Sequence, residues 1–233
     1  MAAEDSALLI AKIRVAPRAA REPRKGGEIP GAGTDKVDLA ARSALVFDSI
    51  KSAFADRASL SLVDLACGTG STVRALSRHL PPRQDWRLVD NDLGLLLRAG
   101  QISLPGVKVT TVPIDLARDL EAALDGPIEI VTTSALLDLV SVNWLERFVT
   151  ETAARRLPAY AALSYDGRIS FDPSDPLDSK IVTAVNRHQR TDKGFGPALG
   201  PDAAAQAIER FTHFGCTVVQ GRSDWVFEPH DRA

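Results

Sequence analysis

An acidic residue and two glycines stand at the end of a short apolar run in residues 62–70, LVDLACGTG. Glycine suits a sharp turn because its φ is unrestricted, and its missing Cβ lets backbone amides approach a ligand closely. A dinucleotide site would carry a third glycine where this chain has Val73. Asp64, just before the turn, favours a ligand with positive charge over one with a diphosphate. The turn at Gly68 and Gly70 therefore predicts a nucleotide-type ligand site.

A second acid, Asp90, ends the apolar run at 86–90. It lies about 20 residues beyond the turn, where folds of this kind place a carboxylate on ribose hydroxyls. Asp92 fits the N-cap of a helix that starts near Leu93, which leaves Asp90 as the ribose ligand.

Histidine titrates near neutral pH, so His188 is the candidate general base for a substrate that must lose a proton. Tyr165 and Asp166, at the end of a predicted strand, are the alternatives. Ile181 and Val185 share the helix face of His188, which equally fits a packed core histidine. The polar residues around His188 and the glycine-rich turn after it favour a recognition loop instead. The predicted substrate-binding residues of this loop are Asn186, Gln189, Lys193 and Phe195.

These side chains need a scaffold that brings them together, and the chain alternates apolar strand-like runs with helical patterns. The first five strands are predicted at 62–65, 86–90, 107–112, 128–133 and 159–165. Predicted helices lie between them at 71–79, 93–100, 116–124 and 141–156. Such alternation produces a parallel sheet with helices on both faces, and ligands bind beyond the carboxyl ends of its strands. The predicted fold class is therefore α/β, Rossmann-like and doubly wound.

Residues 1–35 differ from the rest because basic residues crowd together there, followed by glycines and prolines. This composition predicts a flexible basic extension ahead of a folded domain at 36–233. A nucleic-acid-binding arm and a flap that orders over substrate are the alternatives. We interpret Arg42, in the helical pattern that begins at Asp35, as exposed, with contact to a ligand carboxylate as the alternative. Beyond the fifth strand the alternation stops, and residues 166–200 are predicted to form an insert that caps the substrate.

The chain has 233 residues, of which 45% are apolar and 25% charged, as in an ordinary globular domain. Its net charge of −2 argues against broad electrostatic binding to nucleic acid or to an anionic membrane. No apolar run approaches the roughly 20 residues that a membrane span requires. Cys67 and Cys216 offer neither a disulfide framework nor metal-ligand spacing, so we expect no metal site and a cytoplasmic, reduced protein.

The glycine turn, the ribose acid and the ends of two later strands together resemble the class I S-adenosylmethionine-dependent methyltransferases. Residues 64–70 (DLACGTG) look like the first motif of that family, and 88–90 (LVD) like its ribose-binding acid. Residues 114–116 (IDL) match the position that usually faces the adenine, and 134–139 match the motif that lines the methyl donor. The resemblance covers residues 43–228 and implies S-adenosylmethionine as the cofactor.

The resemblance also implies a set of site residues, a fold and a reaction. The implied cofactor-binding residues are Asp64, Ala66, Cys67, Gly68, Gly70, Asp90, Asn91, Asp115, Leu116, Ser134 and Leu137. The implied sheet has seven mostly parallel strands and ends in an antiparallel hairpin of 217–220 and 225–227, after a helix at 202–214. The implied reaction transfers a methyl group to oxygen or nitrogen of a small-molecule acceptor. A homodimer is compatible with this resemblance, which does not decide the oligomeric state.

The match extends to a subgroup of bacterial small-molecule methyltransferases whose substrates are mostly unassigned. Its signatures here are 165–167 (YDG), 186–189 (NRHQ), 192–196 (DKGFG) and 223–225 (SDW). The last signature adds Asp224 to the predicted substrate-binding residues.

Other functions share parts of this pattern. A nicotinamide-dependent oxidoreductase would share the sheet and the ribose acid, but would prefer the third glycine and lack the hairpin. A non-catalytic nucleoside-binding module would keep the turn without needing His188 or Asp166. Magnesium-dependent catechol-type enzymes use carboxylates after strands four and five, which Asp138 and Asp166 fit only loosely. Residues 133–136 (TSAL) lack the Asn/Asp-Pro-Pro-aromatic motif of base-methylating enzymes.

Overall fold

One sheet runs through the structure, a computed structural model that describes residues 7–16 and 32–227. Over that part of the chain the sheet has eight strands. The strands are β1 Ala7–Ala16, β2 Ser59–Leu65, β3 Arg83–Asp90, β4 Val107–Pro113, β5 Ile130–Ser134, β6 Ala159–Ile169, β7 Thr217–Arg222 and β8 Trp225–Val226. The helices are α1 Ala32–Ala41, α2 Ala44–Ala53, α3 Ser71–Leu76, α4 Leu93–Ala99, α5 Leu120–Ala123, α6 Val142–Ala154, α7 Asp178–Gln189 and α8 Ala203–His213. Short 3₁₀ turns lie at Ser77–His79 and Gly200–Asp202.

The strand order is β4-β3-β2-β5-β6-β1-β7, with β8 also beside β1. All of these neighbouring pairs are parallel. The order reverses between β2 and β5, because β3 and β4 lie on one side of β2 and the later strands lie on the other. Ligands of open α/β sheets bind at such a switch point. The predicted α/β, Rossmann-like fold with a parallel sheet is confirmed.

The predicted antiparallel hairpin and the count of seven strands were wrong. In the part of the chain that the structure describes, β7 and β8 each pair in parallel with β1, for example at Leu8↔Val218 and Val15↔Trp225. The reason is that β1 lies between β6 and β7 and takes the backbone hydrogen bonds of the inner edge of β7.

β1 falls within the segment that was predicted as a flexible extension. Its sequence, ALLIAKIRVA, contains the β-branched Ile10, Ile13 and Val15, which favour a strand. Pairing with β6 on one side and β7 on the other places it inside the sheet. The extension predicted over 1–35 was therefore wrong at Ala7–Ala16, and its residues 1–6 and 17–31 lie outside the described part of the chain.

Helices cover both faces of the sheet. On one face, α6 and α8 bury Phe148 and Phe211, and on the other α2 buries Ile50. Successive strand residues alternate between these layers, since Leu62 of β2 packs with the α2 layer and Val63 with the α6 layer. The central strands β2 and β5 and the first half of β6 are buried on both faces, which explains why they read as continuous apolar runs.

Candidate functional site

The chain turns sharply where β2 ends. Ala66, Gly68 and Gly70 have positive φ angles of 52°, 54° and 84°. Gly70 directly precedes α3, and a Cβ atom there would overlap the Cδ1 atom of Ile102. Left-handed backbone is costly for a residue with a Cβ, so the conformation of Ala66 is strained. The predicted glycine turn is thus present at the switch point of the sheet.

The Asp90 carboxylate joins the glycine turn to the end of β3. Its Oδ2 atom accepts a hydrogen bond from the Gly68 amide at 2.9 Å, and its Oδ1 atom accepts one from the Asp92 amide at 3.0 Å. Asp92 caps α4, because its Oδ1 atom accepts hydrogen bonds from the Gly94 and Leu95 amides at 2.7 and 3.1 Å. The assignment of Asp92 as the N-cap is confirmed. Asp90 is held at the turn and keeps acceptor capacity on both oxygens.

Asp64 lies behind the turn and is 1% exposed. Its Oδ1 atom accepts a hydrogen bond from the Thr132 hydroxyl at 2.7 Å, whereas its Oδ2 atom is buried with no partner at hydrogen-bond geometry. Burial raises the pKa of the Asp64 carboxyl to about 7, against the lowering effects of the Thr132 hydrogen bond and the Arg42 charge. Asp64 therefore changes charge near neutral pH, and a cationic group would satisfy its unpaired oxygen.

Arg42 occupies the break between α1 and α2 and is buried. Its Nη1 atom donates to the Tyr160 hydroxyl at 3.0 Å, and its Nη2 atom donates to the Ser134 hydroxyl at 3.1 Å. The interpretation of Arg42 as exposed was wrong, because the guanidinium at the helix break lies inward, on Ser134 at the end of β5 and on Tyr160 near the start of β6. The signal in the sequence was a basic residue within an apolar helical pattern. Its Nε atom is buried without a hydrogen-bond partner, so the group keeps a donor.

The remaining predicted cofactor-binding residues occupy different surroundings. Cys67 is buried in the turn, and burial raises the pKa of its thiol. Asn91 is exposed, and the Oδ1 atom of Asp115 accepts a hydrogen bond from a nearby amide, that of Ala117, at 3.0 Å. The side chains of two others lie in the core on the α6 face, and these are Leu116 and Leu137.

Two further residues that carry a Cβ adopt positive φ at the same level of the sheet. Ala135 follows β5 with φ at 52°, and Leu163 lies in β6 with φ at 56°. The Ala135 amide donates to the Ala162 carbonyl at 2.9 Å, which places these two positions side by side. With Ala66, which follows β2, they form a row of strained residues across the neighbouring strands β2, β5 and β6. Strain of this kind concentrates at functional sites.

The predicted catalytic residues Tyr165 and Asp166 lie in the carboxyl-terminal half of β6. The Tyr165 hydroxyl donates to Asn186 Oδ1 at 2.6 Å, and Asn186 Nδ2 donates to the Gly167 carbonyl at 3.1 Å. These two bonds attach α7 to β6. Asp166 instead binds Arg168, accepting from its Nε atom at 2.7 Å and also from its Nη2 atom.

His188 lies on the exposed face of α7. Both of its ring nitrogens are 3.4 Å from the Lys193 Nζ atom. The core interpretation of His188 is therefore excluded. Phe195 packs edge-to-face on Trp144 with ring centroids 5.7 Å apart and covers the core, and Gln189 is half-buried.

Asp138 is a buried acid that sequence reasoning missed as a site residue. It follows β5 and is 5% exposed, and its Oδ1 atom has no hydrogen-bond partner. Burial raises the pKa of the Asp138 carboxyl to about 6, against the lowering effect of hydrogen bonds from its own amide and that of Tyr165. The available signal was an acid inside the apolar run 136–140, LLDLV.

A cavity of about 730 Å³ lies between the α1–α2 junction and the carboxyl ends of β6 and β7, and we call it the arginine cavity. Its polar lining consists of Arg42, Ser43, Arg168, Gln220, Arg222 and Asp224. Asp224 was predicted to bind substrate and stands in this wall, whereas the four predicted residues of 186–195 do not line the cavity. Arg42 connects the cavity to the end of β5, because it also donates to Ser134.

A metal-binding cluster and a membrane-spanning helix are both absent from the described ranges 7–16 and 32–227. No group of three or more His, Cys, Asp or Glu residues there is arranged to hold a metal ion. None of the helices in those ranges combines the length and the apolar character needed to cross a membrane.

Comparison with protein-family models and with curated protein sequences gives no match. Several solved structures are similar. The plantazolicin methyltransferase BpumL, in complex with SAH, is 15% identical with a TM-score of 0.41, over 79% of this chain and 59% of that one. The magnesium protoporphyrin IX methyltransferase ChlM from Synechocystis PCC 6803, with bound SAH, is 17% identical with a TM-score of 0.38, over 56% and 57%.

A third structure is the arsenic(III) S-adenosylmethionine methyltransferase CrArsM from Chlamydomonas reinhardtii, which is 16% identical with a TM-score of 0.39, over 67% of this chain and 51% of that one. The chain thus spans 51 to 59% of the length of these three proteins. At these levels of similarity, the functional inference depends on the site residues themselves.

Proposed function

We propose that this chain is a class I methyltransferase that transfers the methyl group of S-adenosylmethionine to a small-molecule acceptor. The observation that carries the proposal is the Asp90 carboxylate, which binds the Gly68 amide at the switch point of the sheet. A carboxylate anchored to a glycine turn is placed to accept hydrogen bonds from the hydroxyls of a ribose.

The charges around the turn fit the rest of this ligand, which carries a sulfonium, an ammonium group and a carboxylate. Asp64 has a buried oxygen without a partner, and Arg42, whose charge acts on Asp64, has a buried N–H without a partner. An unpaired acceptor and an unpaired donor of opposite charge are complementary to a zwitterion. We assign the ribose to Asp90, the cationic groups to Asp64 and the carboxylate to Arg42.

The other predicted cofactor contacts remain part of the proposal. We assign the backbone of Ala66 and Cys67 to the turn that faces the ligand, and Asp115 to the adenine. Ser134 contributes through its hydroxyl, which Arg42 orients.

A dinucleotide fits this turn less well. Val73 stands where a third glycine would allow close approach, and it is fully buried against the sheet. The ionised form of Asp64 would also repel a diphosphate. Sheet topology does not separate the two functions, because the described strands lack the antiparallel hairpin expected of a methyltransferase.

When bound, S-adenosylmethionine supplies an activated methyl group for in-line displacement, so the protein mainly holds the acceptor in near-attack geometry. A base is needed only when the acceptor must lose a proton. We propose Asp166, Tyr165 and His188 for that role. Asp166 is connected to the arginine cavity through its hydrogen bonds to Arg168.

We place the acceptor in the arginine cavity, because Arg42 in its wall also donates to Ser134 at the end of β5, the strand beside β2 and its glycine turn. The volume of about 730 Å³ is that of a small-molecule site. Residues 166–200 are proposed to cap the substrate on the side of the arginine cavity. We also propose a cytoplasmic location. Asp224 is the proposed substrate contact in the wall of the cavity. Asn186, Gln189, Lys193 and Phe195 lie outside that wall and are proposed to contact the substrate from the cap.

Isothermal titration calorimetry of the full chain with S-adenosylmethionine, S-adenosylhomocysteine and NADH tests this function. We expect the first two to bind with dissociation constants on the order of micromolar and NADH not to bind. Binding of NADH alone would identify an oxidoreductase instead. Binding of both adenosyl ligands without turnover on any acceptor would identify a non-catalytic module.

A further inference from the structure

We propose that the arginine cavity binds an oxyanion of the acceptor, a carboxylate or a phosphate. This inference rests on the proposed function, because it assigns a chemical class to the acceptor of that same site. It concerns Arg168 and Arg222, which lie on the side of the cavity away from the glycine turn.

The charge of the cavity wall is the first support. Besides Arg42, which is assigned to the methyl donor, the lining holds the guanidinium groups of Arg168 and Arg222 and the carboxylate of Asp224, and these three side chains carry a net charge of +1. Asp166 lies outside the lining and neutralises part of Arg168. An excess of positive charge remains, and arginine is the side chain that best matches the planar fork of a carboxylate or the oxygens of a phosphate.

The hydrogen bonds of these arginines leave donors free for a ligand. The Nη2 atom of Arg222 donates to Asp224 Oδ2 at 2.9 Å, and it is the one nitrogen of that guanidinium with a partner among the described residues. Arg168 donates hydrogen bonds from Nε and Nη2 to Asp166, and the charge of Asp224 also acts on Arg168. Asp224 therefore pairs with Arg222 and acts on Arg168 through its charge, and both guanidinium groups keep N–H groups available to a ligand.

A run of unsatisfied polar atoms includes Asp224 of the cavity wall and its two neighbours. Within the described part of the chain, three consecutive residues each have a buried polar atom without a hydrogen-bond partner: Ser223 Oγ, Asp224 Oδ1 and Trp225 Nε1. Ser223 is fully buried, at 0% exposed. Buried polar atoms in folded proteins are nearly always paired, so three adjacent exceptions indicate a loop shaped around a polar group that it binds.

The other wall of the cavity is built by close approach of β7 to the α1–α2 junction. A Cβ atom on Gly221 would overlap the Ser43 side chain and contact the Val46 Cγ2 atom at 3.0 Å. The backbone beside Arg222 is therefore fixed in place against the helix junction that carries Arg42. Arg42 and Arg222 therefore reach the cavity from elements that are fixed in place, as a binding site requires.

Ligand-observed NMR titration of the full chain, saturated with S-adenosylhomocysteine, tests the oxyanion site with three probes: benzoate, phenyl phosphate and benzyl alcohol. The test variant is the double change Arg168→Gln and Arg222→Gln. The matched control is Arg83→Gln with Arg98→Gln, which removes two exposed arginines at other places and changes the net charge equally. Calorimetry with S-adenosylhomocysteine is run on each variant in parallel.

We expect one or both anions to bind at least about tenfold more tightly than benzyl alcohol, and the test variant to lose about tenfold for the anion while the control does not. A preference for benzoate identifies a carboxylate, and one for phenyl phosphate identifies a phosphate. Equal affinity for the neutral probe, absence of anion binding, or equal anion affinity in test and control variants would each overturn the oxyanion site. Anion binding by a chain that does not bind S-adenosylhomocysteine would overturn the proposed function and not the oxyanion site.

Discussion

The glycine turn and the arginine cavity are built in different ways. At the turn, the Asp90 carboxylate is buried, and both of its oxygens accept hydrogen bonds from backbone amides. In the cavity, Arg222 is 66% exposed and is paired with another side chain, Asp224. The turn is therefore fixed by the main chain, whereas the cavity is formed by side chains that can rearrange around a ligand.

This difference indicates which half of the site tolerates change. The residues of the turn belong to the ends of adjacent strands, so a change there disturbs the sheet as well as the ligand site. The residues of the cavity come from α1, β6 and β7, and their exposed ion pairs contribute little to stability. We expect the glycine turn, which is assigned to the methyl donor, to tolerate few substitutions. We expect single substitutions in the arginine cavity to alter the specificity for the methyl acceptor.

The largest effect on stability is expected from Gly221→Ala, on the cavity side. The new Cβ overlaps Ser43, so β7 and the α1–α2 junction must separate, at a cost of about 3 kcal/mol. Urea unfolding measures this loss. The double variant with Ser43→Gly removes the overlap and should recover at least half of it. A double variant as unstable as Gly221→Ala would show that the two elements are not in close contact.

A pH-dependent effect is expected on the turn side from Asp64→Asn. The carboxyl ionises near 3.8 when unfolded and near 7 when folded, so the folded state retains a proton that unfolding releases. Wild-type stability should therefore fall as pH rises through this interval and level off above it, whereas the amide carries no such dependence.

The stability gained by Asp64→Asn over wild type should grow by roughly 2 kcal/mol from about pH 5 to about pH 8. Urea unfolding at both pH values measures it, with the exposed Asp85→Asn as the control that should stay flat. A gain that is the same at both pH values would mean that Asp64 is ionised throughout.

A smaller effect is expected from Gly68→Ala. No atom lies within 4 Å of the position that the new Cβ would take, so the cost is that of the left-handed backbone alone, about 1 kcal/mol. The amide that binds Asp90 is retained, so S-adenosylhomocysteine affinity should fall by less than about tenfold. A loss of stability as large as that of Gly221→Ala would contradict the contrast between the two glycines.

The smallest effect is expected from His188→Ala, because the side chain is exposed on α7. Stability should change by less than about 0.5 kcal/mol. Tyr165→Phe, which removes the hydrogen bond to Asn186, should cost about 1 kcal/mol by the same urea measurement. Reversal of this order would place His188 in a structural contact that the structure does not contain.

Local sequence signals predicted the turn side well. Gly68, Gly70 and the Asp92 cap were found because each reflects the backbone geometry of a few neighbouring residues. The helix indicated by the shared face of Ile181, Val185 and His188 is also present, as α7 at Asp178–Gln189.

Contacts between distant segments were not predictable in the same way. β1 was missed because basic residues within it and after it dominated the composition of 1–35, and its partners lie more than a hundred residues away in β6 and β7. The burial of Arg42 depends on Ser134 and Tyr160, which the sequence does not connect to it. The arginine cavity is formed by three segments that lie far apart in the sequence, so no local pattern predicts it.

The most direct test of the methyltransferase assignment is calorimetric titration of S-adenosylhomocysteine into wild type, Asp90→Ala and Asp85→Ala. Asp85 is an exposed acid at the start of the same strand, so its variant controls for the loss of one charge. We predict that Asp90→Ala weakens binding by about a hundredfold and that Asp85→Ala stays within about twofold of wild type. Equal binding by all three proteins, or none by wild type, would contradict the assignment of the ribose to Asp90 and with it the proposed function.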